Sequence, residues 1–270
     1  MSTLLKLSRP ALIGIAAALE TGRLHAPYSV PALESHVPKG LCREVVDELN
    51  RMSAIGTSPT HIAYTLNLLA AERAMAQQMH DRVELVWTGQ EIAGSLSRDT
   101  AVVVRELFST AKRSVLISSF AIDRGEKART LFEGLACRMD TNPSLRVRMF
   151  LNIHRPHGND EPEIALLQRF TAIFRRDIWV GNRLPEVFYD PRSLEKGTET
   201  KACLHAKCVV VDEERILVTS ANFTEAAHER NIEAGVLLED SAVAKGLCSQ
   251  FESLVERSKL KQIDVSSRQS

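Results

Sequence analysis

The chain has 270 residues in which 34 basic side chains balance 34 acidic ones, so no global field draws it toward nucleic acid or an anionic membrane. Its 44% hydrophobic content suits one large or two modest globular domains, and no apolar stretch reaches transmembrane length. Five cysteines (Cys42, Cys137, Cys203, Cys208 and Cys248) make an odd count without CxxC spacing; this argues against a disulfide framework or a zinc site and leaves most of them as expected core residues.

Residues 1–81 read as a small helical domain. Lys6 and Arg9 are followed by no apolar run with the length and cleavage site of a signal peptide, so a cytoplasmic location is expected. Pro10 opens a helix carrying Leu12, Ile13, Ile15 and Ala16 to Leu19. Val45, Val46 and Leu49 mark a second over 43–52, and Ser58 caps a third over 60–79. The domain serves either packing and partner docking, or DNA reading in the manner of a helix-turn-helix with 60–79 as the long helix. That helix shows His61 and Asn67, but Arg73 is its one fixed positive charge. Phosphate contacts dominate DNA affinity and need several cations, so docking is the expected role.

From Val83 the pattern changes. Val83, Leu85 and Trp87 alternate with their neighbours in a strand ended by Gly89. A helix over 100–112, a strand over 114–122, a helix over 127–139 and a strand over 145–153 then follow one another. Such alternation argues for a parallel sheet covered by helices. Next come a helix over 163–174 and short strands over 178–180 and 186–189. A hairpin is followed by a short helix over 224–230, a strand over 235–239 and a closing helix over 241–257. The tail, 258–270, is polar and expected to fray.

The hairpin carries the chemistry. Its first apolar run is 208–211, a tight turn crosses Asp212, Glu213 and Glu214, and 216–218 returns. His205 and Lys207 stand two apart, so the period of a strand puts imidazole and ammonium on one face. Ser220 and Asn222 repeat that spacing after the return strand and offer a hydroxyl and an amide to an anion. Glu233 supplies a carboxylate that would fix the tautomer of His205 if it bonded one ring nitrogen. Phosphoryl transfer needs neutralised charge, a nucleophile and a proton donor, and this set contains each. Asp212, in the turn, is expected to bind backbone amides. Without the shared face and offsets, His205 would be read as a satisfied core histidine and Lys207 as a solvated edge charge.

The spacing HxKxxxxD, followed by SxN and then Glu233, resembles the signature of the phospholipase D superfamily, and most of all its small single-motif bacterial nucleases. The resemblance implies an α/β fold over 82–257: a mixed sheet flanked by helices, with a structural role for Asp212. It also implies a phosphodiesterase that needs no metal or other cofactor. His205 would attack phosphorus to give a phosphohistidine, a second His205 would protonate the leaving oxygen, and Lys207 and Asn222 would hold the nonbridging oxygens. One departure is Thr219, where the family usually has glycine; a β-branched residue disfavours any φ > 0 conformation there. The helical N-terminus, the VWTG strand with Gln90 and Glu91, and the FYDPR run at 188–192 further resemble the phospholipase D-like component of DISARM anti-phage systems. That likeness implies DNA processing beside helicase and methyltransferase partners.

No other histidine, neither His25, His36, His61, His80, His154, His157 nor His228, begins an HxK. The second half of the site is therefore expected from another chain, most simply in a two-fold homodimer. DNA is favoured over RNA as substrate. A phospholipid hydrolase is the alternative enzyme, although no amphipathic membrane anchor is evident. A non-cleaving nucleic-acid-binding or assembly subunit is the alternative of another class. Smaller claims attach to Ser118 and Ser119 as a cleft wall or turn-facing pair, to His154, Arg155 and His157 as solvent-facing loop residues or phosphate and metal ligands, and to Tyr189, Arg192 and Lys201 as groove-lining residues.

Overall fold

A computed structural model describes residues 2–90, 94–196 and 203–266 and divides into two compact units, Met1–Asp81 and Arg82–Ser270. Glu91 and Lys201 fall outside the described residues. In the first unit, α1 (Arg9–Glu20) begins at Ser8, whose hydroxyl accepts from the Ala11 amide. After the short α2 (Val30–Leu33) come α3 (Lys39–Ala54) and α4 (Pro59–His80), the latter with Ser58 accepting from the His61 amide as the cap rule requires. Leu12, Ile15, Leu19, Val45, Leu49, Ile62 and Leu66 close a single apolar core. The i, i+3, i+4 spacing of these side chains puts them on facing helix stripes.

Among the described residues, the second unit is a nine-stranded mixed sheet between helices. Its strands are β1 (Val83–Thr88), β2 (Arg98–Asp99), β3 (Ser114–Ser119), β4 (Arg146–Leu151), β5 (Glu186–Tyr189), β6 (Cys208–Val211), β7 (Arg215–Thr219), β8 (Glu233–Glu239) and β9 (Lys261–Ile263), in spatial order β2-β1-β8-β7-β6-β3-β4-β5-β9. β3, β4 and β5 are parallel, as the strand-helix alternation implied, with α5 (Thr100–Thr110) leading into β3 and α6 (Glu126–Thr141) and α7 (Glu163–Ile173) in the two connections. The β6–β7 hairpin pairs antiparallel with β3 on one side and β8 on the other, β8 pairs antiparallel with β1, and β1 pairs parallel with the short β2. Val209 and Val211 join one apolar layer with Leu107, Phe108, Phe132 and Leu135 of α5 and α6. Cys208 and Val210 face the other way, toward Ala244, Cys248 and Phe251 of α8 (Ser241–Glu256). The period of two thus gives the central strand two buried faces.

Three expectations are corrected. Residues 178–180 form no strand: a π-type turn, Phe174–Ile178, runs on from α7 and turns Ile178 and Trp179 into the core. The short helix over 224–230 is a single π-type turn, Ala226–Arg230. Residues 258–266 are not frayed, because Leu260, Ile263 and Val265 are buried and β9 pairs antiparallel with β5. Most of the cysteines are core residues as expected: Cys42, Cys208 and Cys248 are buried, and Cys137 and Cys203 are exposed. Edge strands of two and three residues leave little unpaired backbone at either side of the sheet.

Candidate active site

His205 and Lys207 lie on the extended approach to β6, just before its first ladder residue. The approach is held from both sides: the Thr219 amide donates to the Lys207 carbonyl at 3.1 Å, and Ser118 Oγ donates to the Ala206 carbonyl at 3.0 Å. With Ala206 pinned between them, the flanking side chains share the open face. Lys207 Nζ lies 3.2 Å from His205 Nδ1 and 3.3 Å from Nε2, and donates to the His205 carbonyl at 3.0 Å. Burial pushes the Lys207 ammonium below the usual lysine pKa, opposed by the charge of Glu233. Phe120, at the end of β3, supplies an aromatic floor 4.9 Å from the imidazole and 5.8 Å from Lys207 Nζ. An open depression of about 610 Å³ is lined by His205, Lys207, Thr219 and Ser220.

Asn222 follows β7, and its Oδ1 accepts from the Ala121 amide at 3.1 Å. With the carbonyl end so engaged, the amide Nδ2 is left as the donor. Ser119 Oγ braces the same turn, accepting from the Phe223 amide and donating to the Ala121 carbonyl. Ser118 and Ser119 are therefore fully buried struts beneath the site and not its wall. Ser220 and Glu233 are engaged with each other: the hydroxyl donates to Glu233 Oε2 and accepts from the Ala234 amide, while Asn231 Nδ2 donates to Glu233 Oε1. Glu233 accepts from Ser220 and Asn231 in place of the expected bond to the His205 imidazole. The same pairing uses the Ser220 proton that had been assigned to an anion.

Thr219 sits in regular strand conformation, so the absent glycine imposes no strain. The glycine stands opposite, in the paired position Gly235, where a Cβ would come within 2.9 Å of both Thr219 Cβ and the Val218 carbonyl. Gly235→Ala is expected to cost about 1–3 kcal/mol in urea unfolding. Adding Thr219→Gly should recover only part of that, since the Val218 carbonyl remains.

Asp212 meets its expectation. It is 8% exposed at φ 56°, and its carboxylate accepts from the amides of Lys112, Arg113 and Ser114 at 2.6–3.2 Å. This ties the hairpin turn to the start of β3. Arg155 departs from expectation: it is buried, donating to the carbonyls of Leu194, Asn159 and Glu161, while His154 and His157 are exposed. Among the described residues, no group of three His, Cys, Asp or Glu side chains is arranged to hold a metal. Tyr189 is buried with its hydroxyl on Glu163, so it cannot stack on a substrate, and Arg192 is paired with the buried Asp190. The FYDPR run is thus a strand end and turn.

Residues 104–255 match the family model described as "Cardiolipin synthase, PLD-like domain". The DISARM protein DrmC of Bacillus paralicheniformis is 28% identical over 165 residues, which are 60% of this chain and 59% of that protein. The chain therefore spans less than two thirds of that relative. Phosphatidylserine synthase of Haemophilus influenzae shares the fold, with a TM-score of 0.50 at 14% identity over 73% of this chain and 44% of that one. Nuc from Salmonella typhimurium, a phospholipase D family member, matches with a TM-score of 0.41 at 16% identity over 67% of this chain and 96% of its own.

Proposed function

This chain belongs to the phospholipase D-like family, and on that premise we propose a metal-independent phosphodiesterase that cleaves nucleic acid, DNA in preference to RNA, through a phosphohistidine. The observation that carries the reading is the close His205–Lys207 pair on one face of a braced surface segment. A ring nitrogen of His205 attacks phosphorus and the bond to the leaving oxygen breaks. An imidazolium, His205 of a second copy, gives that oxygen its proton. Water then attacks the phosphohistidine, the now neutral second imidazole takes the water's proton, and the P–N bond breaks. Lys207 and Asn222 neutralise the nonbridging oxygens. Glu233, held by Ser220 and Asn231, acts as a counter-charge that opposes the effect of burial on Lys207.

The need for two histidines makes a homodimer the functional unit. Likeness to the DISARM protein adds a defence setting. The test is turnover by the purified chain, in EDTA, of labelled single- and double-stranded DNA, RNA and phosphatidylcholine vesicles. Nucleic-acid cleavage that survives EDTA is the expected result. Lipid turnover alone, or activity lost to EDTA, would overturn the proposal.

A further inference from the structure

The proposed mechanism makes no use of His228, a histidine that is only 7% exposed. The π-type turn that carries it, Ala226–Arg230, packs against β1 and α5. Its amide donates to the Thr224 carbonyl at 3.1 Å, and its ring lies tilted at 5.8 Å from that of Phe223. An apolar side chain would pack on Phe223 with no desolvation cost, so a buried imidazole at this place needs a partner for its N–H. That partner is the backbone carbonyl of Asn222, to which the ring donates. Burial pushes the ring below the ordinary histidine pKa, reinforced by the Arg105 charge and opposed by Asp99, by the bond to Asn222 and by Asp123. At neutral pH the ring is therefore mostly uncharged, with a single N–H to give.

The peptide between Asn222 and Phe223 is thus gripped on both sides. Its N–H is held by the Ala121 carbonyl at 3.2 Å and by Ser119 Oγ at 3.2 Å, and its C=O by His228. A planar peptide held at both polar groups has one orientation, and that orientation sets where the Asn222 side chain is carried. The side chain is then fixed in turn, Oδ1 accepting from the Ala121 amide at 3.1 Å. Resting on the phosphodiesterase reading, we infer that His228 is a positioning residue for Asn222, clamping its carbonyl so that the side-chain amide is presented to a nonbridging oxygen of the phosphate. A donor aimed in advance stabilises developing charge without reorganising, which is the advantage the clamp provides. Phenylalanine in its place would keep the packing on Phe223 and lose the clamp.

The experiment compares wild type with His228→Phe and His228→Met, which keep bulk without a donor, with His228→Gln, which keeps a donor, and with Asn222→Ala alone and combined with His228→Phe. Each full-length chain is checked by circular dichroism, assayed on labelled single-stranded DNA in EDTA, and followed by NMR for hydrogen exchange of the Ala121 amide, which reports the bond to Asn222 Oδ1. His228→Phe and His228→Met are expected to lower kcat about tenfold with little change in KM, and His228→Gln to regain most of it. The double variant is expected to turn over no more slowly than Asn222→Ala, because a residue that acts through Asn222 has nothing left to position. Exchange at Ala121 should quicken in the Phe and Met variants and stay slow in the Gln variant. Losses that multiply in the double variant would overturn the proposal, since they mark a general structural role. So would a Gln variant as slow as the Phe variant, or unchanged Ala121 exchange in folded Phe and Met variants. If no strand is cut but the exchange pattern holds, the positioning stands and the phosphodiesterase reading falls.

Discussion

His205→Ala is expected to lower phosphodiester turnover by on the order of 10⁴-fold or more without unfolding the chain. The imidazole is exposed and its side chain meets Lys207 and the Phe120 ring, so its removal leaves no buried group unsatisfied. The loss follows from the role: with no nucleophile, the bound phosphate is still neutralised by Lys207 and Asn222 but nothing forms the P–N bond. Because the proposed unit uses one imidazole as nucleophile and another as acid, mutant chains also silence their partners. In freely exchanging mixtures, turnover should fall roughly as the square of the wild-type fraction. A linear fall with exchange verified, or turnover by a chain shown monomeric in light scattering, would defeat the shared site.

Asp212→Ala should destabilise the second unit by about 3–4 kcal/mol, three amides losing their acceptor at roughly 1 kcal/mol each and alanine being forced into a left-handed backbone. Asp212→Asn should cost less, since asparagine tolerates that backbone and keeps one acceptor. The sign of the pH effect follows from the titration. Burial pulls the Asp212 carboxyl upward, but the amides of Ser114, Arg113 and Lys112 together with the Arg113 charge outweigh it, and its pKa ends below the ordinary value. The stabilisation is therefore fully present above the unfolded pKa of about 4 and is lost as pH falls through the lower folded value. Urea unfolding from neutral pH down to about pH 2 should show a steeper acid loss in wild type than in Asp212→Asn. Parallel curves would refute the assignment.

Read alone, the sequence determined everything set by local spacing. The helices 10–19, 43–52 and 60–79 follow from apolar repeats and caps. The hairpin around Asp212 follows from two β-branched runs about a tight turn, and the common face of His205 and Lys207 from the period of an extended chain. What spacing left open was every pairing between distant segments. That Ser220 and Asn231, and not His205, hold Glu233 depends on the register of β7 on β8. The space for Thr219 lies across the same ladder at Gly235, and the struts from Ser118 and Ser119 reach the site because β3 lies against β6. Phe120 carries no motif at all; it matters because β3 ends beside the approach to β6. The burial of Leu260, Ile263 and Val265 in a polar tail was hidden for the same reason, since β9 exists only where β5 offers it an edge. Local periodicity fixes which way a side chain faces, whereas hydrogen-bond register between strands remote in sequence decides what it meets.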